Sequence, residues 1–234
     1  MSRLHNYIEF IKGKGITKDL QIDDIKLNED THKYTFGKGH LINDDKKPLG
    51  LSGTTIMKWN DIKYDIGKAK IPKKVLEKAS ADGTYIHRKI ELREFKKIES
   101  WMKDNLGITG NDDIREFIFW NRKYRVVGMV DILEFTENEE SINVKFIDHK
   151  VSTSNKQDYL QKQLSIYYIC LKPLLDAMKE QFKKEVKVEL IGHQINKKTG
   201  KEKRIDIEYM GDKKTKEFID TAWKNYDSSN SLNV

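Results

Sequence analysis

Two charged residues close an apolar run. Val144-Lys145-Phe146-Ile147-Asp148-His149-Lys150-Val151 reads as a β-strand of β-branched and aromatic residues. Strand side chains alternate, so Asp148 and Lys150 project from one face and His149 from the other. A carboxylate beside an ammonium at a strand end can hold a divalent cation and steady an anion or activate water. It can equally be a surface ion pair, and this stretch alone favours that plainer reading.

Other residues could complete such a site. Asp131 interrupts the apolar run Val126-Val127-Gly128-Met129-Val130-Asp131-Ile132-Leu133. Desolvating a lone carboxylate is costly, so Asp131 calls for a metal, an arginine or several donors, backbone amides among them. Gly128 either allows a close approach or marks a bulge. His87 and Glu91 stand four apart and share a helical face. His87 reads as a metal ligand or as a satisfied helical histidine, Glu91 as a further acid or a partner of nearby basic side chains. Gln163 and Tyr167, also four apart, could face a phosphate or pack in the core with polar tips.

The elements that must position these residues follow from periodicity. A short N-terminal helix begins at Ser2, and Thr31–Phe36 pairs with His40–Ile42 across Gly37-Lys38-Gly39. Ser52, Thr54 and Thr55 offer caps for a helical piece reaching Trp59, and Pro72 suits the first turn of another helix to about Ala79. A long helix is expected from Thr84 to Lys103, then a loop to Asp113. Ile114–Trp120, Tyr124–Phe135 and Ile142–Val151 read as a three-stranded meander. A second long helix runs from Lys156 to Phe182, with a break expected at Pro173. Val186–Asn196 and Lys203–Met210 form a hairpin, and Asp212 caps a last helix to about Tyr226. This order argues for an α/β fold with a central mixed β-sheet flanked by helices. The expected division is an N-terminal extension over 1–50, a core over 51–227 and a flexible tail over 228–234.

Composition narrows the classes. Hydrophobic residues make up 37% and charged residues 35% of the 234-residue chain, which suits one elaborated globular domain. The net charge of +7 is compatible with a polyanionic partner without requiring one. The single cysteine, Cys170, excludes an internal disulfide, a four-cysteine zinc site and a four-thiolate iron–sulfur cluster, and reads as a buried core thiol. No apolar stretch approaches membrane-spanning length and the N-terminal residues lack a signal-peptide core, so a cytoplasmic setting is expected. No P-loop, dinucleotide glycine pattern or Ser/His/Asp arrangement competes.

Taken in order, four stretches resemble the RecB-like branch of the PD-(D/E)XK nuclease superfamily. They are Gly83-Thr84-Tyr85-Ile86-His87-Arg88-Lys89-Ile90-Glu91, Gly128-Met129-Val130-Asp131, Phe146-Ile147-Asp148-His149-Lys150 and Gln163-Leu164-Ser165-Ile166-Tyr167. Upstream, His32-Lys33-Tyr34 and Leu51-Ser52-Gly53-Thr54-Thr55-Ile56 are similar to a motif of phage and mitochondrial-genome-maintenance-type exonucleases, with Gly53 where valine is usual. The resemblance covers about residues 30–195.

The resemblance implies a restriction-endonuclease-like core and Mg²⁺- or Mn²⁺-dependent cleavage of DNA phosphodiesters, without an iron–sulfur cluster. His87, Asp131, Asp148 and the backbone carbonyl of His149 would hold the metal, and Lys150 would act on the attacking water or the phosphate charge. Gln163 and Tyr167 would sit on the substrate side, with Glu91 behind the metal. Arg88, Lys89, Arg93, Lys156 and Lys162 are candidates for phosphate contacts or an ordinary solvated basic face. The expected activity is an exonuclease working at DNA ends, single-stranded or duplex, in phage or bacterial recombination, replication or repair, with a recombination or annealing protein as partner. A structure- or site-specific endonuclease and a catalytically silent nucleic-acid-binding protein are the alternatives on the same fold.

Overall fold

Alternation of β-branched and aromatic residues with polar ones sets the central strands. The computed structural model describes residues 19–22, 24–28, 31–44, 47–60, 85–86, 88–94, 96–108 and 113–231. In chain order, β1 (Leu20–Gln21) precedes β2 (Ile25–Asn28), β3 (Lys33–Phe36) and β4 (His40–Leu41). β5 (Leu51–Ser52) leads into α1 (Gly53–Asn60), and α2 (Lys96–Leu106) precedes the meander β6 (Asp113–Asn121), β7 (Val126–Glu137) and β8 (Ser141–Val151). α3 (Gln157–Phe182) crosses to β9 (Glu185–Ile195), a turn gives β10 (Glu202–Ile207), and α4 (Asp212–Ser231) follows.

The architecture is α/β, with a mixed seven-stranded sheet flanked by helices. Its order is β1-β6-β7-β8-β9-β10, with β5 beside β7, while β2, β3 and β4 make a separate small sheet. The crossover through α3 makes β8 and β9 parallel, in register from Ser141↔Glu185 to Val151↔Ile195. Each face has its own core. α3 and α4 bury Leu164, Cys170, Leu174 and Trp223 against Phe119, Val130 and Phe146. On the other face, Ile90 and the α2 residues Met102 and Leu106 pack on Ile132, Ile147, Ile191 and Ile195. The small sheet seats Tyr34 and Ile42 on Trp120 and Val127.

Several expectations are corrected. α3 runs through Pro173 without a break. The ring removes one backbone donor, but Leu171, Leu174, Leu175 and Met178 continue the buried stripe across it, and their packing holds the helix together. The helix expected over Thr84–Lys103 is interrupted at 92–94. There the Glu94 N–H reaches the Lys89 carbonyl and the Arg93 N–H the Ile90 carbonyl, with Arg93 at φ 55°. This is a Schellman stop with arginine where glycine is usual, so periodicity passes over it. Leu20 and Ile22 join the main core, so 19–22 pack with the sheet rather than apart from it. α4 continues to Ser231, past the boundary expected at 227. The N-terminal helix from Ser2, the helix at Pro72 and residues 83–84 lie outside the described residues. Among the described residues, no helix is long and apolar enough to cross a membrane.

The second helical layer is tied to the sheet by charge as well as by packing. Arg115 of β6, 7% exposed, donates from Nη1 and Nη2 to the two carboxylate oxygens of Glu99 at 2.8 Å each. Its Nε donates to Asp113 at 2.9 Å, and Nη1 also reaches the Ile90 carbonyl. Removing one member of a buried ionic cluster leaves the others desolvated and unbalanced. Arg115→Ala is expected to lower the unfolding free energy by about 3 kcal/mol in denaturant titration. A loss indistinguishable from an exposed-surface substitution would contradict the tether.

Candidate functional site

β7 has two different neighbours along the edge away from β6. Leu51 and Ser52 of β5 lie parallel to Val126 and Val127, whereas β8 pairs antiparallel from Ile132↔Ile147 onward. Residues 128–131 lie between those two ladders, so the sheet forks there. The facing of β7 also shifts at the fork. Val130 and Leu133, three apart, enter the same α3-side core, while Ile132 faces α2. On β6 the ladder steps from Arg115↔Ile132 to Phe117↔Val130, passing over Glu116 and Asp131, and Glu116 adopts φ 54°. Such a break in pairing twists a strand and re-aims a side chain. Here the Asp131 carboxylate reaches β8, where its Oδ2 accepts the His149 N–H at 2.6 Å.

Asp148, 1% exposed, stands beside it on β8. Its Oδ1 accepts the Gln163 amide at 2.9 Å and its Oδ2 pairs with Lys150 Nζ. Gln163 Nε2 also donates to the Tyr167 hydroxyl at 2.8 Å, the helical spacing of four placing both side chains over the strand end. The Tyr167 ring needs two glycines. A Cβ on Gly53 would stand 3.0 Å from it, and one on Gly128 2.9 Å from it and 2.8 Å from Phe119. Gly128 therefore serves close approach, and the departure from valine at Gly53 makes room for the same ring.

The electrostatics are those of acids with too little water. Burial raises the Asp131 carboxyl above its ordinary 3.8, against the opposing pull of Lys150 and the His149 N–H. Burial alone would lower the Lys150 ammonium, but Asp148 and Asp131 outweigh it and hold the group protonated, well above the ordinary lysine range. Burial, and then the charge of Asp148, push the Tyr167 hydroxyl far up.

The structure thus brings together Asp131, Asp148, His149, Lys150, Gln163 and Tyr167. Glu91 does not join them through any contact seen here and bonds Arg88 at 2.5 Å, the ordinary basic partnership. His87 lies outside the described residues. Of the basic candidates, Lys89 pairs with Glu94, Arg93 with Asp113 and Lys162 with Asp158. Glu116 carries no mark in the sequence, and Tyr34 enters there only within the His32-Lys33-Tyr34 stretch, without a role of its own. Glu116 stands across the hairpin from Asp131, a position that counting back through the turn at 122–125 would have found. Burial first, then the charges of Asp131 and Glu116, hold the Tyr34 phenol well above its ordinary value.

A cleft of about 730 Å³ opens next to this cluster, lined by Tyr34, Trp59, Tyr226, Lys33, Lys58 and Arg88 among others. It meets the carboxylates through Tyr167, Met129 and Glu116 rather than at Asp148 or Lys150 themselves. Asp131 and Asp148 are hard oxygen donors of the kind that Mg²⁺ and Mn²⁺ accept, and a raised, desolvated carboxyl fits a neighbouring cation. The His149 carbonyl lies on the same strand edge as its N–H, toward Asp131. Among the described residues, no three His, Cys, Asp or Glu side chains form an assembled metal-ligand set.

No protein-family model matches the chain, and no match is found among curated proteins. The crystal structure of SSO0001 is similar over 80% of this chain and 79% of that one, at 15% identity and a TM-score of 0.38. A likeness that loose decides nothing about function.

Because the folded protein holds Asp131 protonated more readily than the unfolded chain does, this group costs stability as pH rises through its raised range. Asp131→Asn, which keeps an acceptor for the His149 N–H, should therefore raise the unfolding free energy at mildly alkaline pH. The gain should shrink as pH falls toward the ordinary carboxylate range, where Asp131 is already neutral. A constant difference between the two proteins across that range would contradict the assignment.

Proposed function

We propose that this protein is a metal-dependent nuclease of the PD-(D/E)XK type that hydrolyses phosphodiesters at DNA ends. The observation that carries the reading is the convergence of Asp131, Asp148 and Lys150 at the fork, with Gln163 and Tyr167 behind them. These are five of the residues that the sequence order resembling the RecB-like branch picks out, and their grouping supports the reading. Asp131, Asp148 and the His149 carbonyl would hold Mg²⁺ or Mn²⁺. His87 completes the set in the resemblance. A bound divalent ion supplies Lewis acidity to a phosphate oxygen and acidifies water.

The chain's own residues divide the remaining work. Gln163 fixes the Asp148 carboxylate so that one oxygen is committed and the other stays beside Lys150. Lys150, kept protonated by both acids, serves as a cation toward the developing phosphorane charge and as a donor that orients water. Tyr167 joins the acidic cluster to the cleft. The lysines, Arg88 and rings of the cleft suit an unpaired strand, whose phosphates take the charge and whose bases stack on aromatic faces. A cytoplasmic setting and a recombination or annealing protein as partner belong to this reading.

The test is cleavage of end-labelled linear, covalently closed circular and single-stranded DNA with Mg²⁺, Mn²⁺ or EDTA. Metal-dependent loss of linear but not closed circular DNA is expected. Cutting of closed circles would assign an endonuclease, and binding without cleavage a silent nucleic-acid-binding protein. Asp148→Ala and Lys150→Ala should each abolish cleavage while circular dichroism stays unchanged. Near-normal activity in either variant would overturn the site.

A further inference from the structure

Behind the acidic cluster, on the opposite face of β8, lies a second polar chain with no part in the proposed chemistry. His149, 1% exposed, meets His193 of β9 across the parallel ladder, Nδ1 to Nδ1 at 2.8 Å. His193, fully buried, contacts Glu202 of β10 from Nε2 to Oε2 at 3.0 Å, and the Glu202 side chain is 6% exposed. The Trp101 ring of α2 stacks on His193 with centroids 4.7 Å apart and planes within 13°. The surrounding face is otherwise built of Ile132, Ile147, Ile191, Ile195, Met102 and Leu106.

An isoleucine at 149, as at 147, would fill this layer without desolvating anything. A buried neutral hydrogen bond adds little net stability, and a buried carboxylate demands partners before it breaks even. The arrangement is therefore a poor way to gain stability and a good way to fix direction. A carboxylate can only accept, so with neutral rings Glu202 places the His193 proton on Nε2 and leaves Nδ1 as acceptor. His149 must then donate from Nδ1. Its ring is pinned from the end of a three-strand relay.

His149 is also the residue whose N–H holds Asp131 Oδ2 at 2.6 Å, just beyond the last β7–β8 pair at Ile132↔Ile147. At that point the β7-side edge of β8 has left its ladder. We infer that His193 and Glu202 are positioning residues: by clamping the His149 ring they set its peptide, and so fix the Asp131 carboxylate and aim the His149 carbonyl at the fork. This inference rests on the reading of the fork as the catalytic centre.

The test uses the full-length protein, free of metal, labelled with ¹⁵N. Long-range imidazole spectra at mildly alkaline pH should show His193 protonated at Nε2 and His149 at Nδ1, and the His149 amide proton should be far downfield. In Glu202→Leu and His193→Phe, that amide should move upfield and exchange about tenfold faster. Ile191→Val, a truncation on the same face, should leave it in place. With DNA, kcat of both relay variants should fall about tenfold while KM stays unchanged, as outer-shell substitutions at metal centres do.

A His193 proton on Nδ1 in the wild-type protein would overturn the relay even if neither variant folds. So would a His149 amide unaffected by both variants. If the amide responds as expected but the wild-type protein cleaves no DNA, the positioning stands and the nuclease reading falls.

Discussion

One hydrogen bond stands where the sheet stops pairing: the His149 N–H donated to the Asp131 carboxylate. β7 and β8 share a regular ladder up to Ile132↔Ile147, and the next link across the gap is a side chain rather than a backbone carbonyl. β7 goes on to pair with β5, while β8 stays paired with β9 along its whole length. That bond bridges the fork between them, and α3 lies over it. If the ladder continued, Asp131 would have no space to face a ligand. If the strands separated without the bond, the two aspartates would lose their relative placement.

The fork concentrates charge in a region that burial makes hostile to it. Asp131 is held above its ordinary carboxyl range by desolvation, and Lys150 stays protonated because two carboxylates face it. A fold chosen for stability alone would not place these groups together. The helix over them adds polar order: Gln163 bonds Asp148 and Tyr167 from one amide, and two glycines make room for the tyrosine ring. Beneath, the His149–His193–Glu202 relay controls the same peptide from the other face of the sheet. The strand end is therefore constrained from above by a helix and from below by two neighbouring strands.

Much of this architecture was readable from local patterns. The meander followed from runs of β-branched and aromatic residues, and α3 from a long stripe spaced at three and four. What misled were local signals outweighed by their surroundings. Pro173 argues for a break, but apolar packing on both sides carries the helix through it. Arg93 gives no sign of ending a helix, yet it takes the left-handed position in a stop that its ion pair with Asp113 of β6 reinforces. The candidate residues were readable as types and spacings: Asp148 and Lys150 share a face by alternation, and Gln163 and Tyr167 share one by helical period. Glu116 escaped because an acid in a strand carries no mark until its cross-strand partner is known.

The sequence by itself determined the kinds of element, the α/β class, and which side chains could bear charge on which face. Those properties depend on neighbours within a few residues, through alternation, helical period and turn chemistry. Only the tertiary structure decided that β7 divides its edge between β5 and β8, that Asp131 turns into the resulting fork, and that His149 meets His193. Each of these depends on register between strands separated by a crossover or a loop. Register is set by how whole faces pack, and no local stretch of sequence records it. The Asp148-His149-Lys150 run is thus an ordinary strand end by composition, and a candidate catalytic centre only because the sheet opens beside it.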